Sequence, residues 1–250
     1  TNIFHGQYRR IASYYPNSEL AAQGTPSAEE LKILEPWRKD IPAAVFGPAW
    51  QPPAVDLRAN FREADRLLKE AGWQIVGGKR MKDGKPFAFE ILLSAPEDEK
   101  VALHFKRALT KMGIDATIRV LDNAAYIGRI NEYDFDMTLY YWLSTLSPGT
   151  EQILYWGCEA AKEPGRWNYA GICHPAIDSI AAAIANAKSR ESLVAHVRAL
   201  DRILMAGSYM IPLYYNGKDN VAYWKPLRHP DQTPLYGLVI ETWWMDPPES

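Results

Sequence analysis

The segment that decides the fold is FAFEILLSAPEDEKVALHFKRALTKMGIDATIRV, residues 87–120. It opens with an apolar side chain at every second position, which is the spacing of a β-strand. Residues 101–112 then place apolar side chains on one helical face, and Gly113 follows as a helix stop. Alternation returns over 114–120, which predicts a second strand. The order strand, helix, strand predicts a parallel pair joined by a helical crossover.

Further elements extend this unit in both directions along the chain. Apolar residues at helical spacing predict a helix over 61–71, ended by Gly72, and a short helix over 124–130. The segment YDFDMTLYYWLS, residues 133–144, alternates and is predicted to be a third strand. The resulting order is βαβαβ, so the sequence predicts an α/β fold with a parallel sheet.

The remaining predicted elements lie outside this core. Ser27 is the predicted N-cap of a helix, and the proline-rich segment 41–55 is predicted to be an extended linker. Two more helices are predicted over 177–184 and 193–204, the second with Ser189 as its N-cap. A short aromatic strand is predicted over 209–216, and its proline favours an edge or a bulge.

The carboxyl end of the third strand is the first candidate for a binding site. In open parallel sheets, ligands bind in the crevice beyond the carboxyl ends of the strands. Aromatic side chains offer large, rigid contact area, and the chain has nine tryptophans and fourteen tyrosines. The residues that the third strand would place at the crevice are Tyr140, Tyr141, Trp142, Leu143 and Ser144.

A second candidate is the segment EPGRWNYAGI, residues 163–172. Arg166, Trp167 and Asn168 offer a guanidinium, a flat apolar face and an amide next to one another, which suits recognition rather than catalysis. Alternatively, Trp167 packs beneath the loop and Arg166 is solvated. The sequence leaves both interpretations open.

The two cysteines, Cys158 and Cys173, flank this second segment. A disulfide between them would close a loop of about 15 residues, contribute roughly 3 kcal/mol and imply an oxidising compartment. The alternative is two separate buried thiols. A zinc site would need further ligands, and only His174 is adjacent.

Asp134 and Asp136 are the candidates for catalysis, because strand spacing points both carboxylates to one face. Two carboxylates that flank a sugar can hydrolyse a glycoside. The alternative, which the position of the crevice at the other strand end favours, is structural. Asp134 would cap the strand start, and Asp136 would pair with a cation or a backbone amide.

Other chemistry finds little support in the sequence. It contains no serine elbow, P-loop, dinucleotide fingerprint or metal-ligating histidine spacing, so no catalytic residue, metal or cofactor is predicted. The formal net charge of −2 gives no electrostatic reason to expect a nucleic acid or an anionic membrane as partner. No apolar run is long enough to span a bilayer.

Several segments, in this order, resemble the C-terminal half of the family 5 extracellular solute-binding proteins, the periplasmic oligopeptide and dipeptide receptors of ABC importers. They are EADRLLKEAGW, DGKPFAFEILLS, VALHFKRALTKMGIDATIRVLDNAAY and YDFDMTLYYW. The resemblance is closest to the YejA-like branch. The segments that carry this finer likeness are FHGQYRRIASYYPNSELAAQGTPSAEELKILEPW, LSPGTEQ and NYAGICHPAID.

The resemblance implies a type II periplasmic binding protein, in which two lobes close on a ligand by a hinge. Family members are longer and begin with another domain, so this chain is expected to be a C-terminal portion. Residues 1–44 would be the tail of the first lobe and the crossover. Residues 45–185 would form the second lobe, and residues 186–250 would return to the first.

The resemblance also implies a function, namely binding oligopeptides or peptide-like solutes in the periplasm, without catalysis. The expected partners are the N-terminal half of the receptor and the permease subunits of the importer. A secreted hydrolase that uses Asp134 and Asp136, similar to a glycosidase, is the alternative.

The resemblance further maps the path of the ligand backbone onto Tyr141, Trp142, Leu143 and Ser144. In the peptide-binding members, an aspartate three residues after the tryptophan holds the peptide α-amine. This chain has Thr145 there. A neutral hydroxyl cannot supply the charge pairing that an ammonium requires, so an amine would be held elsewhere or be absent from the ligand.

Overall fold

The computed structural model describes residues 6, 8–142, 144–216, 218, 220–235 and 237–246. The helices, in chain order, are α1 (Ala28–Leu34), α2 (Leu57–Glu70), α3 (Glu99–Lys111), α4 (Asn123–Asn131), α5 (Glu151–Trp156), α6 (Pro175–Ala185) and α7 (Arg190–Ala206). The strands are β1 (Tyr8–Arg10), β2 (Gln74–Val76), β3 (Lys79–Lys82), β4 (Lys85–Pro86), β5 (Ala88–Leu93), β6 (Asp115–Val120), β7 (Met137–Thr138), β8 (Tyr214–Asn216), β9 (Leu227–Arg228) and β10 (Trp244–Met245).

The chain divides into two compact units. Residues 1–10 and 214–250 form one of them, and its described strands make two antiparallel pairs, β1 with β8 and β9 with β10. Residues 11–213 form the other unit, which contains all the described α-helices and the remaining strands. The lobe boundaries expected after residues 44 and 185 concern a whole two-lobed receptor, and they stay predictions.

The predicted parallel sheet is confirmed. Its central strand is β5, which pairs in parallel with β6 on one side and with β7 on the other. Ile91 lies opposite Ile118 and Met137 in these pairings. The helix α3 connects β5 to β6 and buries its apolar face against the sheet, with Ala102 and Leu109 in one cluster with the strand residues. Burial of this apolar surface is what holds the crossover helix on the sheet.

The third strand is much shorter than the sequence predicts, and the expectation of a strand over 133–144 is wrong. Tyr133 adopts a left-handed backbone with a φ of 55°, which belongs to a turn rather than a strand. The backbone N–H of Glu90 donates to the carboxylate of Asp136 at 2.9 Å. A side chain therefore takes the place of a strand partner there, and backbone pairing is confined to Met137 and Thr138.

The β2–β3–β4 hairpins turn at Gly77-Gly78 and at Asp83-Gly84, whose residues all have positive φ. Arg80 on β3 is almost fully buried. Its guanidinium donates to the carboxylate of Asp65 at 2.7 Å and to the carbonyl oxygen of Met112 at 3.1 Å. Because these two acceptors lie on α2 and at the end of α3, Arg80 joins both helices to the hairpins.

A second core lies among α1, α5, α6 and α7, together with residues 15–46. The predicted caps are confirmed, since the side chains of Ser27 and Ser189 accept hydrogen bonds from the first turns of α1 and α7. The segment 41–55 is only partly extended. Ala43–Phe46 form a short 3₁₀ helix because Val45 is buried in this core.

Two adjacent charged residues on α7 bind α1 and the irregular segment that precedes it. Arg202 forms a buried ion pair with Glu30 at 2.5 Å and donates to the carbonyl oxygen of Gln23 at 2.8 Å. Asp201 accepts from the hydroxyl of Ser13 and the backbone N–H of Tyr14, both at 2.8 Å. Neighbouring residues on a helix point in different directions, so the two side chains hold different parts of the segment.

Two further predictions concern the two cysteines and the strand over residues 209–216. Cys158 and Cys173 form a disulfide, which confirms that interpretation over two separate thiols. The strand predicted over 209–216 is confined to Tyr214–Asn216. Within the described residues, no helix combines the length and the apolar character that crossing a bilayer requires.

We predict a pH-dependent effect for Asp201→Asn. Burial raises the pKa of Asp201 to about 6, despite the hydrogen bonds and nearby Arg202 that lower it. Because the unfolded pKa is about 3.9, the folded state binds the proton more tightly, and the stability that Asp201 contributes falls as pH rises from about 4 through 6.

The measurement is urea unfolding of the full-length wild type and variant at several pH values. The unfolding free energy of the wild type minus that of the variant should fall by up to about 3 kcal/mol between pH values near 4 and 7. A difference that stays constant, or rises, would show that the hydrogen bonds outweigh burial and keep Asp201 ionised.

Candidate ligand-binding site

A cleft of about 230 Å³ lies at the carboxyl edge of the parallel sheet. It is bounded by the turn after β5, the segment after β7 and one side chain of α4. Its lining residues are Leu93, Ser94, Ala95, Asp98, Tyr126, Leu139, Tyr140 and Tyr141. Parallel strands end at the same edge of a sheet, which is why residues distant in sequence meet here. The sequence predicts a site at this edge, and its use by a ligand stays a prediction.

Tyr126 is the fixed part of the cleft wall. It is buried, and its hydroxyl lies 2.9 Å from the hydroxyl of Thr138, which donates to the carbonyl oxygen of Leu92 at 2.8 Å. Burial raises the pKa of the Tyr126 phenol, so the group is neutral at physiological pH. This chain of hydrogen bonds joins α4 to the ends of β7 and β5.

Tyr140 and Tyr141 form the accessible aromatic part of the cleft. Tyr140 is 39% exposed and Tyr141 is 67% exposed. The ring of Tyr140 packs on Tyr169, with 4.6 Å between the ring centroids. The Tyr141 hydroxyl donates to a carboxylate oxygen of Asp98 at 3.0 Å. One ring is thus supported by packing, and the other is held by a hydrogen bond across the cleft.

Trp142 lies behind the cleft rather than in its lining. It is partly buried against the helical core, and its ring centroid lies 4.7 Å from that of Tyr140 and 5.4 Å from that of Trp156. Its indole Nε1 is buried and, within the described part of the chain, has no hydrogen-bond partner. Because the Trp142 ring packs on both Tyr140 and Trp156, truncating it would disturb the core as well as the neighbouring cleft wall.

Among the other residues predicted after the third strand, Ser144 and Thr145 are not part of the lining. Leu143 lies outside the described residues. Ser144 and Thr145 are exposed, and the Thr145 hydroxyl accepts from the backbone N–H of Ser147 at 3.3 Å.

The predicted second segment is also separate from the cleft lining. Arg166 pairs with Glu163 at 2.8 Å, and the ring of Trp167, which is 44% exposed, lies 5.8 Å from that of Tyr155. A role for either residue in binding stays a prediction.

Asn168, the third residue of this segment, is 1% exposed. Its amide donates to the carbonyl oxygens of Gly157 and Ile172, both at 2.8 Å, and accepts from the backbone N–H of Ile172 at 3.0 Å. Since both amide hydrogens are used within the chain, this is the geometry of a residue that holds the loop beside the Cys158–Cys173 disulfide.

Tyr140 and Tyr141 were predicted from the sequence, whereas the other six lining residues, among them Asp98 and Tyr126, were not. Asp98 follows β5 closely, so the rule that pointed to the end of the third strand applied equally to the end of this strand. Tyr126 reaches the cleft from α4, and no local sequence pattern marks it.

The two aspartates considered for catalysis are engaged in the fold. Asp134 forms an ion pair with Arg129 at 2.8 Å, and Asp136 accepts from the backbone N–H of Glu90. Glu90 binds Arg119 and Arg129, and these arginines lower the pKa of its carboxyl. Asp136 therefore pairs with a backbone amide, as the structural alternative predicted, whereas Asp134 pairs with a cation.

The described part of the chain contains no candidate metal site. Among the described residues, no three histidine, cysteine or carboxylate side chains lie close enough together to hold a metal ion.

Comparison with known proteins identifies relatives of the chain. Uncharacterized protein y4wM of Sinorhizobium fredii is 42% identical over 97% of this chain and 38% of its own length. Two Agrobacterium fabrum proteins follow. Peptidoglycan-binding protein YepA is 40% identical over 97% of this chain and 40% of its own length. Probable peptide-binding protein YejA is 38% identical over 97% of this chain and 41% of its own length.

The same fold occurs in solved structures. The oligopeptide-binding protein AppA of Bacillus subtilis, in complex with a nonapeptide, superimposes with a TM-score of 0.67 at 19% identity. The match covers 97% of this chain and 44% of AppA. At this identity the likeness concerns the fold alone, and it confirms the predicted type II periplasmic binding protein class. The chain spans about two fifths of the length of the curated relatives it matches.

The family of this chain is identified by its match to a sequence model of that family. The model described as bacterial extracellular solute-binding proteins, family 5, middle, matches residues 1–163. This range is more than half of the 250 residues, and the YejA and YepA relatives agree with the predicted branch. The chain therefore belongs to the family 5 bacterial extracellular solute-binding proteins.

Proposed function

We propose that this protein is the substrate-binding component of an ABC importer, and that it binds oligopeptides or peptide-like solutes in the periplasm without transforming them. The observation that carries the proposal is an aromatic and polar cleft at the carboxyl edge of the sheet, in a member of family 5. Relatives named as a probable peptide-binding and a peptidoglycan-binding protein support a peptide-like ligand. The transporter permeases would be its partners.

The side chains that line the cleft offer the functional groups that a peptide ligand requires. Tyr140 and Tyr141 offer ring faces for apolar side chains, while Ser94 and Asp98 offer a hydroxyl and a carboxylate. Within the described residues, no hydrogen bond joins the main chain of Tyr140 to another main-chain group. An extended peptide beside this segment would find main-chain partners as well as side chains.

The proposed binding site has a centre and a flank. Tyr140 and Tyr141 form the centre because they line the cleft, and Trp142 supports them from behind. The flank would consist of the remaining residues that are predicted to contact the ligand. These are Leu143, Ser144, Thr145, Arg166, Trp167 and Asn168.

We further propose that the cleft belongs to a lobe formed mainly by residues 45–185. Residues 1–44 and 186–250 would then belong to the crossover and the first lobe, and the N-terminal half of the receptor would provide the opposing wall. Closure of the two lobes would exclude water, which strengthens each polar contact with the ligand.

Replacing Tyr141 with alanine in the full-length protein should weaken peptide binding about tenfold, since an exposed aromatic contact contributes about 1–2 kcal/mol. The side chain is mostly exposed, so the melting temperature should change little. Isothermal calorimetry with a peptide captured by the wild type measures the effect.

Tyr209→Ala is the matched control, because Tyr209 is also an exposed tyrosine and does not line the cleft. Equal affinity for the wild type and Tyr141→Ala would remove Tyr141 from the site. An equal loss in both variants would show that the effect is not specific to the cleft.

The hydrolase alternative is tested by replacing Asp134 and Asp136 with asparagine. We expect peptide affinity to be retained and no product to form with either protein, because both carboxylates are bound to groups of the fold. Chromatography of peptide and glycoside substrates after long incubation provides the readout. Turnover by the wild type that disappears in the double variant would establish catalysis and contradict the proposal.

A further inference from the structure

We propose that Asp98 is an anionic subsite that binds a primary ammonium group of the ligand. This inference rests on the proposed function and names the ligand group that the cleft selects. Asp98 lines the cleft at the turn after β5, and it is the carboxylate among the lining residues. A carboxylate and an ammonium make a charge-assisted hydrogen bond, which is stronger than one between neutral groups.

The local geometry leaves Asp98 without the usual structural role of an aspartate before a helix. Such a residue commonly caps the helix by accepting a backbone N–H with its side chain. Asp98 precedes α3, but its backbone is already helical and its side chain makes no capping hydrogen bond. The carboxylate is therefore oriented by the cleft and not by the first turn of the helix.

A single tyrosine orients this carboxylate. Tyr141 donates its hydroxyl hydrogen to one carboxylate oxygen at 3.0 Å. Among the described residues, no lysine or arginine forms an ion pair with Asp98. Its negative charge is thus held in position and is available to a cationic group of the ligand.

The surroundings of Asp98 also favour a cation. Tyr126, Tyr140 and Tyr141 line the same cleft, and the face of a tyrosine ring attracts a cation within about 6 Å.

The ammonium could belong to the α-amine of a peptide or to the side chain of a diamino acid such as lysine. The cleft chemistry is the same for both sources, and peptide modification separates them. Acetylation of the α-amine alone removes the first charge. Acetylation of every amine removes both.

The experiment uses the full-length protein and a pool of short synthetic peptides that includes lysine-containing members. The pool is supplied in three forms, namely unmodified, acetylated at the α-amine, and acetylated at every amine. Native mass spectrometry measures how much peptide is captured. The variants are Asp98→Asn and, as a matched control, Glu97→Gln, because Glu97 is an adjacent carboxylate outside the lining.

The wild type and Glu97→Gln should capture the unmodified pool equally, and Asp98→Asn should capture it about tenfold less. Full acetylation should lower capture by the wild type by about the same factor. Loss on α-acetylation identifies the α-amine as the bound group, whereas retained capture identifies the side-chain ammonium. Equal melting temperatures of the three proteins show that the substitutions act on binding.

Two results would overturn the inference while leaving the proposed function intact. One is equal capture of unmodified peptides by Asp98→Asn and the wild type. The other is capture by the wild type that full acetylation does not lower. Failure of the wild type to capture any peptide from the three pools would overturn both the inference and the proposed function.

Discussion

The parallel pairing of β5 with both β6 and β7 is the constraint on which the cleft depends. Because the three strands run in one direction, the chain segments that leave β5 and β7 emerge at the same edge. Asp98 and Tyr141 are 43 residues apart in sequence, yet their side chains share a hydrogen bond there. An antiparallel neighbour would send one of these segments to the opposite edge, and the aromatic rings and the carboxylate would not meet.

A second set of interactions supports this edge from behind. Trp142 joins the cleft wall to the helical core through Trp156, and Tyr169 packs against Tyr140 from the loop that follows. In the same core, Asp201 and Arg202 on α7 attach the irregular residues around α1. The packed residues behind the cleft hold the rings of Tyr140 and Trp142 in place.

Much of the fold could be predicted because its signals are local. The alternation within residues 87–120 and the caps at Ser27 and Ser189 each depend on neighbours in sequence. The third strand was predicted too long because alternation cannot show that the Asp136 carboxylate binds the N–H of Glu90. Only part of the cleft lining was predicted, for a related reason. Tyr140 and Tyr141 follow a strand with an evident pattern, whereas Asp98 and Tyr126 gain their place from tertiary packing.

We propose that the carboxyl edge of this sheet holds the ligand. A crystal structure of the full-length protein with a captured peptide tests this proposal most directly. We expect peptide between the rings of Tyr140 and Tyr141, with an ammonium nitrogen about 2.7–3.2 Å from the carboxylate of Asp98. A peptide seated instead against Trp167 and Tyr155, with no atom in the cleft, would contradict it.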